Sequence, residues 1–570
     1  MLCRSRISWK TTFESYAKRS YSKRSYSSSM NHGKKSFNSY STLALIGGFA
    51  LVGVVSYGSY RYGRQSIILR PPEDVFPLSS TTRLDEISPP TYCTDAQFKE
   101  AIAKLKEILG SEKVFDSPVE IAHHSRNEFT THVPLEYQKP KYVIYPTSTE
   151  EVSQAMKIIN EYNVPVVPFS AGTSLEGNFH STRPGIVLDT SRMNKVLEVH
   201  YDDLDAVVQS GVSWQMLNDV LEPSGLMFGP DCGPSGQISG MVSTNASGIN
   251  ASRYGAMISN VISLTVVLAD GTIIKTKQRP RKTSAGYNLT GLFIGSEGTL
   301  GIVTEATVKL HVRPRYETVV VGQFPTIKDT TNTVAQLFRA GLQPNAIEML
   351  DGDMMHTINY SGYFSREWLE CPTLFFKIGG INKKVVDEYI REMKQIALQN
   401  NCQDFLFARN EEEQEELFSA RKNAFFAILN YGRNEIDEDI RLWVTDVAVP
   451  ISKLPIVLDK VNKLIKSSGL QSVIVGHLGD GNFHADLFYK PDQMSHCEKV
   501  VNELIDIGLA NEGTCTGEHG VGNTKRVFLL KELGSDPVDL MRKLKFSLDP
   551  KRLLNPDKIF KIDPTDDSPY

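Results

Sequence analysis

A short apolar strand that leads into a glycine-rich loop constrains this chain more than any other feature. Val164–Asn178 has the sequence VPVVPFSAGTSLEGN, in which β-branched residues precede a run of Gly, Ser and Thr. The N–H groups of such a loop form a concave site for a phosphate or pyrophosphate. Asn178 and Phe179 stand where a P-loop needs lysine and a hydroxyl, and the Rossmann pattern G-x-G-x-x-G is absent. An ordinary turn is the alternative interpretation.

A second glycine-rich stretch favours a ligand site over a turn. Gly229–Gly255 is too rich in Gly, Ser, Thr and Asn for an amphipathic helix, yet Ile238, Met241 and Val242 are too apolar for a solvated linker. This mixture is typical of backbone that approaches a ligand closely.

Three separated motifs resemble one known flavin-binding domain. PFSAGTSLEGN, GQISGMVSTNASGINASRYG and, at Gly295–Leu310, GSEGTLGIVTEATVKL occur in the order found in the vanillyl-alcohol oxidase / p-cresol methylhydroxylase superfamily. The resemblance covers Tyr142–Leu310 and implies FAD, which we expect to be bound non-covalently. The cofactor-binding residues that it implies are Ser170, Gly172, Thr173, Ser174, Leu175, Gly177, Asn178, Ile238, Ser239, Gly240, Thr244, Asn245, Gly248, Gly255, Glu297, Gly301, Ile302 and Val303.

The order of strands and helices predicts an α+β protein. We expect a two-subdomain FAD-binding domain of the p-cresol methylhydroxylase type at 95–314 and an α+β substrate domain at 315–510. The second domain should be an antiparallel sheet with helices on one face. A helical C-terminal segment, 511–570, is expected to complete the active site. Ser148–Glu151 predicts a capping box that opens a helix at Glu151–Tyr162. This helix lies between a predicted strand at Lys141–Tyr145 and the strand before the glycine-rich loop, so we expect a β-α-β unit.

The charge of the chain is unevenly distributed. Residues 1–40 carry a net charge of +8, so the remainder carries −12. A basic, acid-poor start rich in Ser and Tyr is typical of a mitochondrial targeting segment. The alternative is a disordered arm that binds nucleic acid, but no basic patch with interleaved aromatic residues follows it. We therefore expect no nucleic-acid partner.

An uncharged apolar segment follows the basic start. We predict a transmembrane anchor at 41–63, because Leu43–Tyr57 and its flanks provide about the 20 residues needed to cross a bilayer. A buried core helix is the alternative. A Pro-, Ser- and Thr-rich linker, 64–94, comes next. A single anchor behind a matrix-targeting signal predicts an inner-membrane protein whose catalytic part faces the intermembrane space.

Two motifs in the second half contain candidate metal ligands. GHLGDGNFHAD at Gly476–Asp486 places His477 and His484 in a glycine-punctuated turn, and GEHGVG places Glu518 beside His519. Two histidines and one glutamate leave coordination positions open, as a catalytic metal site requires. Hydrogen-bonded structural histidines are the alternative. The seven scattered cysteines form no C-x-x-C motif, so a thiolate zinc site is not indicated.

These two motifs resemble the C-terminal signature of the flavin-linked 2-hydroxyacid dehydrogenases. The resemblance implies that His477, His484 and Glu518 hold a divalent metal, zinc or manganese, and that His519 is the general base. Arg421 is our candidate for binding the substrate carboxylate, because a guanidinium grips a carboxylate bidentately; a surface helix arginine is the alternative.

The substrate is expected to be a short acid. Enzymes of this family that act on D-2-hydroxyglutarate carry a lysine where the segment Leu442–Pro450, LWVTDVAVP, has Val444 and Thr445. We expect oxidation of D-lactate to pyruvate by hydride transfer to flavin N5, with cytochrome c as electron acceptor. D-2-hydroxyglutarate or another D-2-hydroxyacid is the alternative substrate.

Three other classes of function are alternatives to this interpretation. The first is a non-redox flavoenzyme similar to the alkyl-dihydroxyacetone-phosphate synthases, for which we would expect the peroxisomal ending Ser-Lys-Leu, whereas the sequence ends Asp-Ser-Pro-Tyr. The others are a metal-dependent hydrolase and an anchored scaffold protein, neither of which would hold flavin.

Overall fold

The computed structural model describes residues 79–568 except 128, 132, 363–365 and 567. The predicted targeting segment (1–40), the predicted anchor (41–63) and residues 64–78 of the predicted linker lie outside the described residues. Within the described part of the chain, no helix is long and apolar enough to cross a membrane.

Two larger sheets and one two-stranded sheet form the part of the described chain before residue 313. Its strands are β1 (Val114–Phe115), β2 (Tyr142–Ile144), β3 (Val166–Phe169), β4 (Ile186–Asp189), β5 (Val196–His200), β6 (Asp205–Gln209), β7 (Leu226–Met227), β8 (Val261–Val267), β9 (Ile273–Lys275), β10 (Ile302–Lys309) and β11 (His311–Val312). The first sheet has the order β1-β2-β4-β3, and its last three strands are parallel. The second has the order β5-β6-β10-β8-β9 and is antiparallel.

Helices pack against these sheets. They are α1 (Asp95–Leu109), α2 (Pro118–Ser125), α3 (Thr149–Glu161), α4 (Trp214–Leu221), α5 (Ile238–Thr244), α6 (Ala251–Tyr254), α7 (Met257–Asn260) and α8 (Leu289–Phe293). Apolar side chains of α1 and α3 share one core with β3 and β4. The predicted β-α-β unit that delivers the chain to the glycine-rich loop is therefore confirmed.

A larger antiparallel sheet organises the next part of the chain. Its strands are β12 (Tyr316–Gln323), β13 (Ala346–Leu350), β14 (Thr373–Gly380), β15 (Asp404–Phe407), β16 (Arg441–Val444), β17 (Val447–Ala448), β18 (Ser472–His477) and β19 (Asn482–Tyr489). They lie in the order β15-β12-β14-β13-β18-β19-β16, and β17 also pairs with β19. The helices of this part and of the C-terminal part are α9 (Ile327–Arg339), α10 (Gly352–Ser361), α11 (Lys383–Gln399), α12 (Glu411–Lys422), α13 (Ala424–Tyr431), α14 (Leu454–Ser468), α15 (Met494–Leu509), α16 (Arg526–Leu533) and α17 (Ser535–Leu548).

Helices pack on both faces of this sheet, so the prediction of helices on one face was wrong. Val320 of β12 points into a core with α9, α11, α14 and α15, whereas its neighbours Val319 and Val321 point into a core with α10, α12 and α13. Alternating side chains of a strand face opposite sides of the sheet. Strands that are apolar on both sides need cover on both sides.

Two local predictions also differ from the structure. Ser148 caps α3, but the Glu151 carboxylate accepts the N–H of Thr147 instead of the N–H of Ser148, so the reciprocal capping box does not form. The second glycine-rich stretch, predicted to be non-helical, contains the short helix α5. Its Ile238 and Met241 are buried, and this packing outweighs the low helix propensity of its small residues.

The chain after α17 returns to the flavin-binding part and packs beside β3. Val166 donates its N–H to the carbonyl of Leu553, and Asn555 donates its N–H to the carbonyl of Val166. Leu553 and Leu554 are fully buried in the core that α1 and α3 form. The C-terminal segment therefore completes the flavin-binding part of the molecule.

Replacing Leu554 with Ala should destabilise the flavin-binding part by about 2–5 kcal/mol, because a buried leucine leaves a cavity. Leu540→Ala on α17 is the matched control, since Leu540 is 47% exposed. Denaturant unfolding followed by tryptophan fluorescence measures both variants. An unchanged unfolding transition in the Leu554 variant would contradict this role of the tail.

Candidate functional site

The glycine-rich loop after β3 opens onto a cleft between β3, α5 and the start of β10. Gly172 has a φ of +68°, and a Cβ atom there would lie 2.6 Å from the Phe169 ring. Glycine is therefore required for the loop to turn along the cleft.

Most of the predicted cofactor residues line this cleft. They are Ser170, Gly172, Thr173, Ser174, Asn178, Ser239, Gly240, Thr244, Glu297, Gly301, Ile302 and Val303. Leu175, Gly177, Ile238, Asn245, Gly248 and Gly255 do not line it. Ile238 is buried in the core behind α5, and a Cβ atom at Gly248 would lie 2.5 Å from the Asp231 backbone.

Sequence reasoning missed other residues of the cleft. Gln237, whose Oε1 accepts a 2.6 Å hydrogen bond from the Ser170 hydroxyl, stands within the second motif and could have been included. Asn555 donates to the carbonyls of Asn178 and Glu297 at 2.9 and 2.6 Å. No pattern in the C-terminal tail pointed to Asn555.

The structure brings the three predicted metal ligands together. His477 ends β18 and His484 lies within β19, so the prediction that both histidines lie in the turn was wrong. Their Nε2 atoms lie 3.0 and 3.3 Å from Oε1 of Glu518, which belongs to the GEHGVG loop. One ligand atom from each of the three residues lies within 4.8 Å of the others.

The other ring nitrogen of each histidine is held by a defined acceptor. His477 Nδ1 lies 2.8 Å from Oε1 of Glu348, and His484 Nδ1 lies 2.9 Å from the carbonyl of Thr445. A histidine that donates from Nδ1 keeps the lone pair of Nε2 for a metal, which is the usual arrangement in metal sites. Oε2 of Glu518 accepts a 2.6 Å hydrogen bond from the Ser247 hydroxyl.

This donor set fits a divalent cation. Burial alone would lower the pKa of His477, but the carboxylates of Glu348 and Glu518 raise it well above its usual range. Burial would raise the pKa of Glu518, but His477 and His484 hold it well below its usual range. Two imidazoles and a carboxylate that converge in a buried site suit zinc or manganese.

His519 lies directly beside the cluster of His477, His484 and Glu518. Its ring stacks on that of His484, with centroids 4.9 Å apart and 12° between the planes. Nδ1 of His519 lies 3.6 Å from Oε1 of Glu176 and 3.9 Å from Oδ2 of Asp446. Burial would lower the pKa of His519, but Asp446 and Glu176 raise it.

Arg421 is not a surface arginine. It lies near the end of α12, its side chain is 12% exposed, and its Nε donates to Oε2 of Glu348 at 2.7 Å. Glu348 therefore joins Arg421 to His477. Nothing in the sequence around Glu348 indicated this bridging role.

Asp446 fixes the loop that carries Glu518 and His519. One carboxylate oxygen accepts the backbone N–H groups of Glu518 and His519 at 3.0 and 2.9 Å and the Thr516 hydroxyl at 2.9 Å. The other accepts the Asn482 amide at 2.8 Å. Sequence reasoning missed Asp446, although a single acid within the apolar segment LWVTDVAVP was a usable signal.

The same loop is held to the flavin cleft by Glu297. Its carboxylate accepts the N–H groups of Val521 and Gly522 at 2.7 and 2.9 Å and the Asn178 amide at 2.7 Å. Burial raises the pKa of Glu297 to about 7, although these hydrogen bonds oppose the shift. Because Glu297 and Asn178 line the cleft, the histidine cluster lies next to it.

Comparison with known proteins agrees with this arrangement. The family described as "FAD binding domain" matches residues 140–277, and "FAD linked oxidases, C-terminal domain" matches residues 313–559. The crystal structure of p-cresol methylhydroxylase superposes with a TM-score of 0.68 at 17% identity, covering 84% of this chain and 99% of that one, which shows the fold alone. The predicted fold class is confirmed, and the protein is an FAD-dependent oxidoreductase.

Two fungal proteins are much more similar in sequence. The mitochondrial D-lactate dehydrogenase (cytochrome) of Kluyveromyces lactis is 48% identical over 534 residues, covering 93% of this chain and 92% of that protein. D-lactate dehydrogenase (cytochrome) 1, mitochondrial, of Saccharomyces cerevisiae is 49% identical over 498 residues, covering 86% and 85%. The chain belongs to the D-lactate dehydrogenase (cytochrome) family of FAD-linked oxidases.

Each of the single substitutions His477→Ala, His484→Ala and Glu518→Gln should lower both the metal content and the activity, because each removes one of the three ligands of the metal. Excess zinc or manganese should restore part of the activity. Metal content is measured by plasma mass spectrometry, with His496→Ala, a histidine on α15 that lies outside the cluster, as the control. Full metal occupancy in all three variants would show that the metal does not bind there.

Proposed function

We propose that the protein oxidises D-lactate to pyruvate at the junction between the flavin cleft and the large sheet. The observation that carries the proposal is the convergence of His477, His484, Glu518 and His519 beside a cleft that belongs to an FAD-binding domain. The names of the two similar fungal proteins support the choice of substrate and of a cytochrome as acceptor.

The two non-protein groups have separate tasks. FAD, held by the residues that line the cleft, supplies the two-electron acceptor for the hydrogen on Cα of the substrate. A divalent cation held by His477, His484 and Glu518 would polarise the substrate hydroxyl and lower its pKa. The residues of this chain then have to bind the carboxylate, accept the hydroxyl proton and keep water out.

His519 is the group that we assign to the proton. It is adjacent in sequence to one proposed metal ligand and stacks on another, so a substrate hydroxyl held beside this cluster would lie close to His519. A positioned base must lie within hydrogen-bond distance of the proton that it removes. His519 takes the hydroxyl proton as the Cα–H bond breaks, and the product carbonyl forms.

Arg421 is the group that we assign to the substrate carboxylate. Its Nε is already bonded to Glu348, which in turn holds His477. This link fixes the guanidinium relative to the metal ligands. A planar guanidinium held in this way can donate from its remaining N–H groups to one carboxylate.

The surroundings of Val444 support a short substrate. Val444 opposes Asp486 across β16 and β19, and Asp486 is buried on the same strand as His484. A buried carboxylate there disfavours a second carboxylate on the substrate. Thr445, which follows Val444 in the same segment, donates its hydroxyl hydrogen to the carbonyl of Ala485.

One observation favours a longer D-2-hydroxyacid as a second candidate substrate. Val444 also lines a neighbouring cavity, whose walls include Arg126, Arg433 and Arg441. Glu438 and Asp439 in the same walls offset part of that positive charge. A panel of acids separates the two candidates.

Anaerobic addition of D-lactate to the purified FAD-loaded enzyme should bleach the visible absorption of the flavin, and L-lactate should not. D-2-hydroxyglutarate should bleach it far more slowly than D-lactate does. Faster bleaching by D-2-hydroxyglutarate would favour the second candidate, and no bleaching by any 2-hydroxyacid would contradict the proposed chemistry.

His519→Ala should slow flavin reduction by D-lactate by about 10²–10⁴-fold, the usual effect of losing a positioned base. Its FAD and metal contents should equal those of the unmodified enzyme. His356→Ala, an exposed histidine paired with Glu370, is the control. Near-normal reduction in the His519 variant would exclude it as the base.

We further propose that the enzyme lies at the mitochondrial inner membrane and passes electrons to cytochrome c. The two similar fungal proteins are named mitochondrial, and the basic start followed by an uncharged segment supports the same location. The net charge of −12 outside residues 1–40 is opposite to that of basic cytochrome c.

Cytochrome c reduction driven by D-lactate should therefore slow as salt is added, because opposite charges steer the encounter and salt screens them. Flavin reduction measured without cytochrome c is the control, and it should change little with salt. A cytochrome c rate that does not depend on ionic strength would contradict electrostatic docking.

A further inference from the structure

Glu176 has no part in the mechanism above, yet it joins the flavin loop to the loop that carries His519. Its side chain is buried, and Oε1 lies 3.6 Å from Nδ1 of His519 and 2.8 Å from Nζ of Lys525. Oε2 accepts a 2.5 Å hydrogen bond from the Thr524 hydroxyl. The carboxylate is thus directed at the candidate base from the flavin side.

The backbones of the two loops fit together closely. Asn523 donates its N–H to the carbonyl of Glu176 at 3.1 Å. A Cβ atom at Gly522 would lie 1.8 Å from that same carbonyl oxygen, and one at Gly177 would lie 2.1 Å from Oδ1 of Asn523. Neither loop can therefore shift without moving the other.

Glu176 is better placed than Asp446 to accept a hydrogen bond from the protonated Nδ1 of His519. The nearer oxygen of Asp446, 3.9 Å from that nitrogen, already accepts from two backbone N–H groups and from a hydroxyl. A carboxylate oxygen has about two lone-pair sites, so that oxygen is saturated. Oε1 of Glu176 faces Lys525 and His519 only, among the described contacts.

We propose that Glu176 is a positioning residue for the base. Its Oε1 accepts the Nδ1–H of His519 and so directs Nε2 toward the substrate, while Lys525 and Thr524 hold the carboxylate in place. The separation of 3.6 Å closes by a small rotation of the ring, and such contacts in ligand-free sites commonly tighten when substrate binds. The inference rests on the proposed function, because it assigns Glu176 a role only through His519.

A double-mutant cycle tests this role. The Glu176→Gln variant should retain FAD and metal, and its KM for D-lactate should stay within about twofold of that of the unmodified enzyme. Its flavin reduction should be slower by about 10²-fold, because misplacing a catalytic group reduces the rate by about that factor. In the His519→Ala background the same substitution should change the rate by less than about twofold, since residues that act as a unit are not additive. Glu161→Gln, which removes an exposed carboxylate from α3, is the control.

If Glu176→Gln slows flavin reduction by the same factor with and without His519, the proposal is overturned. It is also overturned if the slow rate of the Glu176 variant is explained entirely by loss of FAD or metal. If Glu176→Gln does not fold because Lys525 loses the nearer of its two carboxylate partners, the pair Glu176→Gln with Lys525→Met removes both charges together and should give the same result. If D-lactate does not reduce the unmodified enzyme, the proposed substrate fails. The cycle is then run with the 2-hydroxyacid that does reduce it.

Discussion

The buried carboxylate of Asp446 is the interaction on which the rest of the site depends. It binds the backbone of Glu518 and His519 directly, so one side chain fixes a proposed metal ligand and the proposed base together. Burial would raise the pKa of Asp446, but His519, Lys525 and His484 hold it below its usual range, so it stays ionised. Hydrogen bonds to a charged group contribute about 1.5–3 kcal/mol each, which makes this anchor costly to break.

The flavin-binding part holds the same loop from the other side. Glu297 accepts two further backbone N–H groups of the loop, and Glu176 accepts a third through its carbonyl. Residues 516–525 are therefore fastened to both halves of the molecule. The consequence for function is that the histidine cluster and the flavin cleft keep one relative position, as the proposed transfer of a hydride from a bound acid to a bound flavin requires.

Much of this could be predicted from the sequence because it depends on local pattern. The β-α-β unit before the glycine-rich loop and the strand–helix order of the second half follow from periodicity, and the histidine motifs are short and distinctive. Glu348 and Glu176 could not be found in this way, since they act on residues 73 and 348 positions away in the chain. The spacing of residues along the sequence does not indicate contacts between positions so far apart.

The helices on both faces of the large sheet were missed for a related reason. An amphipathic pattern tells which side of a helix is buried but not which face of the sheet it covers. The strands β12, β13 and β14 are buried on both sides. Their apolar residues were the better indication of helices on both faces, because a strand that is apolar on both sides needs other elements packed against both sides.

The central claim is that one loop, fastened by Asp446 and Glu297, places a metal ion and a base beside the flavin. Anomalous X-ray diffraction from crystals of the enzyme loaded with FAD and zinc, collected at the zinc absorption edge, tests it most directly. The account predicts one strong peak about 2.0–2.2 Å from Nε2 of His477, Nε2 of His484 and a carboxylate oxygen of Glu518, facing the flavin ring. A fully occupied ion elsewhere, or no peak between these three side chains, would contradict it.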